Sequence, residues 1–248
     1  MRIGCDLDGV LADLNRAFIA VARRRYPQLD VSTVTAADEV AAAPGVAEDS
    51  PEGVTEEVLA RPADDLVPVA LTRAQMDETW KELWGVTDFW ETLEEIEDGA
   101  IARLATLAEA QQWEIIFLTS RPGSAGQLVQ RQSQRWLDRK GFRWPSVYVV
   151  QKSRGRIADA LALDVVIDDR PENCLDVALE SKARAILVWR GAAASVPASA
   201  KRLGIGVVPS VAACLDLLVE ADRSATTPVD LVQRLKRLLG LGSRAAAR

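Results

Sequence analysis

The chain has no histidine among its 248 residues. That absence removes His-based catalytic triads and His-ligated zinc, and leaves carboxylates, lysine, tyrosine and cysteine as acid–base groups. The three cysteines, Cys5, Cys174 and Cys214, are too few and too widely spaced for a disulfide framework or a Cys-x-x-Cys site. A reducing, cytoplasmic setting is the expectation. Aromatic residues are scarce, at 5% of the chain. No apolar run approaches the ~20 residues that a membrane span requires. The N-terminus also lacks a charged segment followed by a long apolar stretch, so no stable membrane association is expected. Basic residues are outnumbered: 30 Lys and Arg face 36 Asp and Glu, for a net charge of −6. Polymeric nucleic acid is therefore not an expected partner. A small anionic substrate is still admissible, because a metal and a few local cations can dominate one pocket.

What is present is a series of short apolar runs ending in polar or turn residues. They cover 2–5, 115–118, 147–150, 165–167, 185–188 and 205–208. Helical patterns lie between most of them, and that alternation predicts an α/β fold with a Rossmann-like parallel sheet covered by helices on both faces. Asp98-Gly99 is expected to open a helix bearing Leu104, Leu107 and Ala108. Gly141 is expected to close one bearing Leu128, Val129, Trp136 and Leu137. Ser210 reads as the N-cap of a helix with Val211, Cys214, Leu215 and Leu218.

The alternation fails between the first two strands. A helix is expected at 14–25, then an Ala/Pro/Asp/Glu-rich stretch at 31–65 that would bury little. Thr72-Arg73-Ala74-Gln75 resembles a capping box, and Met76, Trp80, Leu83 and Trp84 follow as one apolar stripe. The organisation expected is a core of 1–14 and 99–221, an inserted helical cap of 15–98 and a tail of 222–248. The tail reads as a linker and an amphipathic helix at 228–239, docked on the body or serving a homodimer or partner contact. A cap placed after the first strand stands where a sheet's ligand crevice opens.

Chemistry gathers at the strand ends. The first ends in Asp6-Leu7-Asp8-Gly9, the second in Thr119-Ser120 and the fourth in Asp168-Asp169, with Lys152 just past the third. Parallel strands put these ends on one edge, so four carboxylates would converge with an ammonium and a hydroxyl. Such a group of acids is costly without a cation, and an oxygen-ligated ion such as Mg²⁺ relieves it.

Asp-Leu-Asp-Gly-Val after a strand, then Thr-Ser, a lone Lys and Asp-Asp, resembles the haloacid-dehalogenase-like (HAD) phosphohydrolase superfamily. The segments "DLDGVLADLN", "FWETLEEIEDGAI", "IIFLTSRP" and "VVIDDRPEN" are similar to those of its 5′(3′)-deoxyribonucleotidase branch and bacterial relatives, where Pro rather than Arg121 follows Thr-Ser. The resemblance implies a Mg²⁺-dependent phosphatase for a small phosphate ester such as a (deoxy)nucleoside monophosphate. Sugar or other small-metabolite phosphates, or a weakly catalytic phosphate-binding regulatory module, are the alternatives.

The same resemblance implies roles. Asp6 is the nucleophile and Asp8 the general acid and base. Thr119, Ser120 and Lys152 bind phosphate, joined by the Gly9 and Val10 amides. Asp6, Asp8 through its backbone carbonyl, Asp168 and Asp169 hold the metal, Asp169 being favoured over Asp168 as the direct ligand. Arg154 and Arg156 compete with Lys152 for the cationic role. Phe89 and Trp90 either pack the cap or line a base-binding pocket, as the resemblance implies. Arg121 is expected to face solvent, with contact to the substrate as the alternative. Trp113, Trp136, Trp144 and Trp189 are read as packing residues.

Overall fold

The computed structural model describes residues 1–27, 71–150, 153–222 and 238–239. The 31–65 stretch, Lys152 and most of the expected C-terminal helix lie outside the described residues.

Six strands form one parallel sheet: β1 (Arg2–Asp6), β2 (Glu114–Thr119), β3 (Ser146–Val149), β4 (Val165–Asp168), β5 (Arg184–Val188) and β6 (Gly206–Val208). Their order is β3-β2-β1-β4-β5-β6. Each falls on an expected apolar run. The fold is the Rossmann-like α/β arrangement that the alternation predicts. Register is explicit on one side of β1: Cys5 pairs with Ile167, Asp168 with Leu187 and Val188 with Val208, all in parallel. Strands buried on both faces carry near-continuous apolar sequence, and Val165, Val166 and Ile167 are each at most 1% exposed.

The chain divides into two compact units. One comprises 1–5, 103–116 and 153–248. Within it, α5 (Arg154–Ala160) packs on α6 (Pro171–Glu180). Gly155 permits that approach, since a Cβ there would meet the main-chain carbonyl of Asp176. α7 (Ala198–Arg202) precedes β6, and α8 (Val211–Asp222) follows it. Ser210 caps α8 by accepting from the Ala213 amide at 3.0 Å. Leu239 lies against Gly206, where a Cβ would collide with its side chain.

The other unit comprises 6–102 and 117–152. α1 (Leu14–Arg25) buries Leu14, Phe18, Val21 and Ala22, one stripe of a helix, and packs on α2 (Arg73–Gly85). Phe18 meets the Trp80 ring at 4.8 Å, and Trp80 stacks on Trp84 at 5.8 Å. Arg24 and Arg25 pair with Glu78 and Glu82 across these helices. The capping box opens α2 as expected: the Gln75 amide donates to the Thr72 hydroxyl while the Thr72 amide donates to the Gln75 side chain.

α3 (Ala100–Gln111) begins where Asp98-Gly99 placed it, though its Ile101 amide is capped by Glu95 at 3.0 Å. α4 (Val129–Arg139) ends at Gly141, whose φ of +99° is the left-handed turn for which glycine is suited. The Gly141 amide donates to Asp138 and the Phe142 amide to Leu137, which satisfies the helix's last carbonyls. Leu128 is not part of the buried stripe; it is the N-cap of α4 and 81% exposed. Trp144 likewise departs from its expected packing role, at 92% exposed. It sits in the reversal between α4 and β3 with φ +56°, and its neighbour Pro145 is the residue turned inward. Among the described residues no helix is long and apolar enough to cross a membrane.

Candidate active site

Asp6 closes β1 and is 6% exposed. The chain then turns tightly: the Leu11 and Ala12 amides both donate to the Leu7 carbonyl, at 2.9 and 2.7 Å. Gly9 adopts φ +82°, a conformation costly for a residue with a Cβ, which accounts for glycine after the second aspartate. The Gly9 amide donates to the Ala12 carbonyl at 3.1 Å. It therefore closes the turn, whereas the sequence reading assigned it to phosphate.

β2 delivers Thr119, 1% exposed, with Ser120 half-buried after it. The Thr119 hydroxyl lies 3.4 Å from Asp8 Oδ2, and its oxygen accepts from the Arg121 amide at 3.3 Å. Asp8 and Thr119 thus meet in one unit.

Arg121 corrects the expectation of a solvent-facing side chain: the residue is 2% exposed. Its Nε donates to both Asp8 oxygens, at 3.0 and 2.8 Å, and Nη2 donates to Oδ1 at 2.8 Å. Nη1 donates to the Ser133 hydroxyl at 3.0 Å. The guanidinium carbon lies 4.8 Å from the Trp90 ring centre and 5.5 Å from that of Trp136. A buried cation is tolerated because its charge is paired in a fork and its faces rest on aromatic rings. Ser133, buried beside Trp136 on α4, is thereby satisfied by the same cation.

Phe89 and Trp90 form a short 3-10 turn and are 2% and 0% exposed. The Trp90 amide donates to Gln132 Oε1 and its indole N–H to the Pro122 carbonyl, at 3.0 and 3.1 Å. One ring contacts the other at 4.9 Å, and Trp90 also receives Arg121. Of the two sequence readings, packing is the one these contacts fit; neither ring presents an open face for a base.

In the other unit, Asp168 ends β4 with 0% exposure. Its Oδ1 accepts from the Arg170 amide at 2.9 Å, and both oxygens accept from Asn173 Nδ2 at 3.0 Å. Arg154, 4% exposed, brings Nε to 3.6 Å from Asp168 Oδ2. Sequence reasoning treated Arg154 only as a rival of Lys152, and it did not single out Asn173. Burial pushes the Asp168 carboxyl above its ordinary range, partly offset by Arg154 and the hydrogen bonds. Burial and the neighbouring Asp168 charge push Asp169 up to about 7. Its Oδ1 is buried without a hydrogen-bond partner.

Known proteins add little to this picture. No family model and no curated relative matches the chain. Among solved structures, one described as "Crystal structure of putative beta-phosphoglucomutase from Thermotoga maritima" is 15% identical, with a TM-score of 0.48. That match covers 88% of this chain and 98% of the other. A likeness of that degree carries no chemistry with it.

The residues expected to hold a cation have one clear opening for it. Among the described residues no three Cys, Asp or Glu side chains are gathered tightly enough to bind a metal by themselves. Magnesium does not require that, since it keeps several waters and takes one or two carboxylates. The Asp169 Oδ1, buried without a hydrogen-bond partner next to Asp168, is an oxygen suited to such an ion.

Proposed function

We propose that the protein is a Mg²⁺-dependent phosphomonoesterase for a small phosphate ester, working through an aspartyl-phosphate. The observation that carries this reading is the second aspartate of the Asp-x-Asp-Gly turn, held against Thr119 and Arg121 directly beyond the strand that ends in Asp6.

Asp6 would attack phosphorus, forming the Asp6 O–P bond while the ester P–O bond breaks. Asp8 would give its proton to the departing alkoxide, then take one from the water that attacks phosphorus and releases phosphate from Asp6. Thr119 and Ser120 would hold phosphate oxygens, with Lys152 or Arg154 as the counter-charge. Mg²⁺, for which Asp6, the Asp8 backbone carbonyl, Asp168 and Asp169 are the proposed ligands, would supply charge neutralisation at the phosphoryl group. The inserted helices α1 and α2 would serve as the cap and select the substrate.

The nucleoside monophosphate assignment rests on the four similar segments. The burial of Phe89 and Trp90 withdraws the aromatic shelf that favoured it, so sugar phosphates stand beside nucleotides as candidates. The test is phosphate release from a panel of mononucleotides, sugar phosphates and simple alkyl phosphates, with Mg²⁺ and with EDTA. Release that requires Mg²⁺ is expected. Binding of members of the panel without release from any of them would favour a phosphate-binding module instead.

A further inference from the structure

We propose that Arg121 is a positioning residue for Asp8 and not a contact to the substrate, an inference that rests on the reading of Asp8 as the general acid and base. A substrate cannot reach the guanidinium, whose side chain is 0% exposed, whereas that of Asp8 is 16% exposed. The pair therefore has a closed side and an open side: Arg121 backs the carboxylate, and the exposed part of Asp8 is left for reacting atoms. Its fork grips both oxygens, at 2.8–3.0 Å, which fixes the carboxylate plane as well as its distance.

Arg121 is itself restrained. Ser133 takes Nη1, and the rings of Trp90 and Trp136 lie 4.8 and 5.5 Å from the guanidinium carbon. A planar, delocalised cation suits this box, and a lysine ammonium would supply charge without the fork. The grip also has a chemical consequence. The fork donates N–H groups to both Asp8 oxygens, so it sets where the carboxylate stands relative to the reacting atoms. Loss of the fork leaves the carboxylate free to turn, which should slow the steps that use Asp8 while sparing substrate binding.

Arg121→Gln and Arg121→Lys test this in the full chain, with p-nitrophenyl phosphate as the probe. Its leaving group needs no proton, so formation of the phosphoenzyme, read as a burst of nitrophenolate, should survive. Steady-state turnover, which needs Asp8 to activate water, should fall by about 100-fold in Arg121→Gln, as expected when a catalytic group is misplaced. KM should stay near the wild-type value, and Arg121→Lys should recover only part of kcat. A raised KM with kcat preserved would make Arg121 a substrate contact and overturn the proposal. Loss of burst and turnover together in a folded variant would overturn it as well.

Because burying Gln in place of Arg risks the fold, a denaturation cycle reads the pair without activity. The urea midpoint of Asp8→Asn/Arg121→Gln should exceed that of Arg121→Gln alone, since the double variant leaves no unpaired carboxylate. Independent, additive effects would mean that no clamp exists. A wild type that releases no phosphate from any ester would overturn the phosphatase reading and this role with it. An active wild type with additive effects in the cycle would overturn this role alone.

Discussion

Arg154 and Asp168 form a buried ion pair, Nε to Oδ2 3.6 Å, with side chains 5% and 1% exposed. Breaking it from one side should be costly, because the other charge stays buried. Arg154→Met is expected to lower stability by about 3–5 kcal/mol, the usual cost of orphaning a buried charge. Arg154→Met/Asp168→Asn should recover part of that loss. Urea unfolding at neutral pH gives both values, and a single variant as stable as wild type would show that the pair bears no weight.

Asp6→Asn should abolish turnover while leaving the fold intact, because the amide cannot form the acyl phosphate. Phosphate release and circular dichroism check the two halves of that statement. Asp6 closes an apolar strand whose neighbours are buried irrespective of its charge. Full activity in Asp6→Asn would end the assignment of Asp6 as nucleophile.

The α1/α2 contact should be acid-sensitive. Hydrogen bonds from Tyr26 and Arg25 hold Glu78 below the usual carboxylate value of 4.5, and those from Arg24 and Arg25 do so for Glu82. For a lowered carboxyl the stabilisation is complete above the unfolded value and disappears as pH falls through the folded one. The gap in urea midpoint between wild type and Arg25→Gln should therefore be present at pH 7, shrink in high salt and vanish well below pH 4.5. A gap independent of pH would attribute the effect of Arg25 to its alkyl stem.

Gly155→Ala should destabilise by about 1–3 kcal/mol, the range for overpacking. The added methyl would press on the Asp176 carbonyl and the Glu180 Cβ where α5 meets α6, and neither is a flexible side-chain tip. Gly85→Ala is the control, since nothing lies within 4 Å of its Cβ position. Thermal melts of the two variants should separate clearly.

Trp90→Ala should cost about 3–5 kcal/mol through the cavity it leaves. It should also lower kcat through Arg121, which would lose one face of its box. If Trp90 instead met a nucleobase, the chief effect would be a raised KM for mononucleotides only. The ratio of kcat losses on a mononucleotide and a sugar phosphate distinguishes these outcomes.

All six strands, the caps of α2 and α8, and the glycine that ends α4 were legible in the amino-acid order. Those features depend on groups a few residues apart: an apolar run, a hydroxyl three positions before an amide, a residue free of a Cβ. The strand-end polar residues were legible for the same reason, because Asp6, Thr119 and Asp168 each terminate such a run. Folding decided the rest. Arg121 and Asp8 are 113 residues apart, and no local pattern distinguishes an arginine held in a tryptophan-lined box from one in water. Arg154 and Trp144 make the point in opposite directions: the charged side chain is buried by a distant carboxylate, while the aromatic one is turned outward by a left-handed turn. Period and capping are short-range properties of a chain, whereas the partner of a buried charge is set only when remote elements come to face each other.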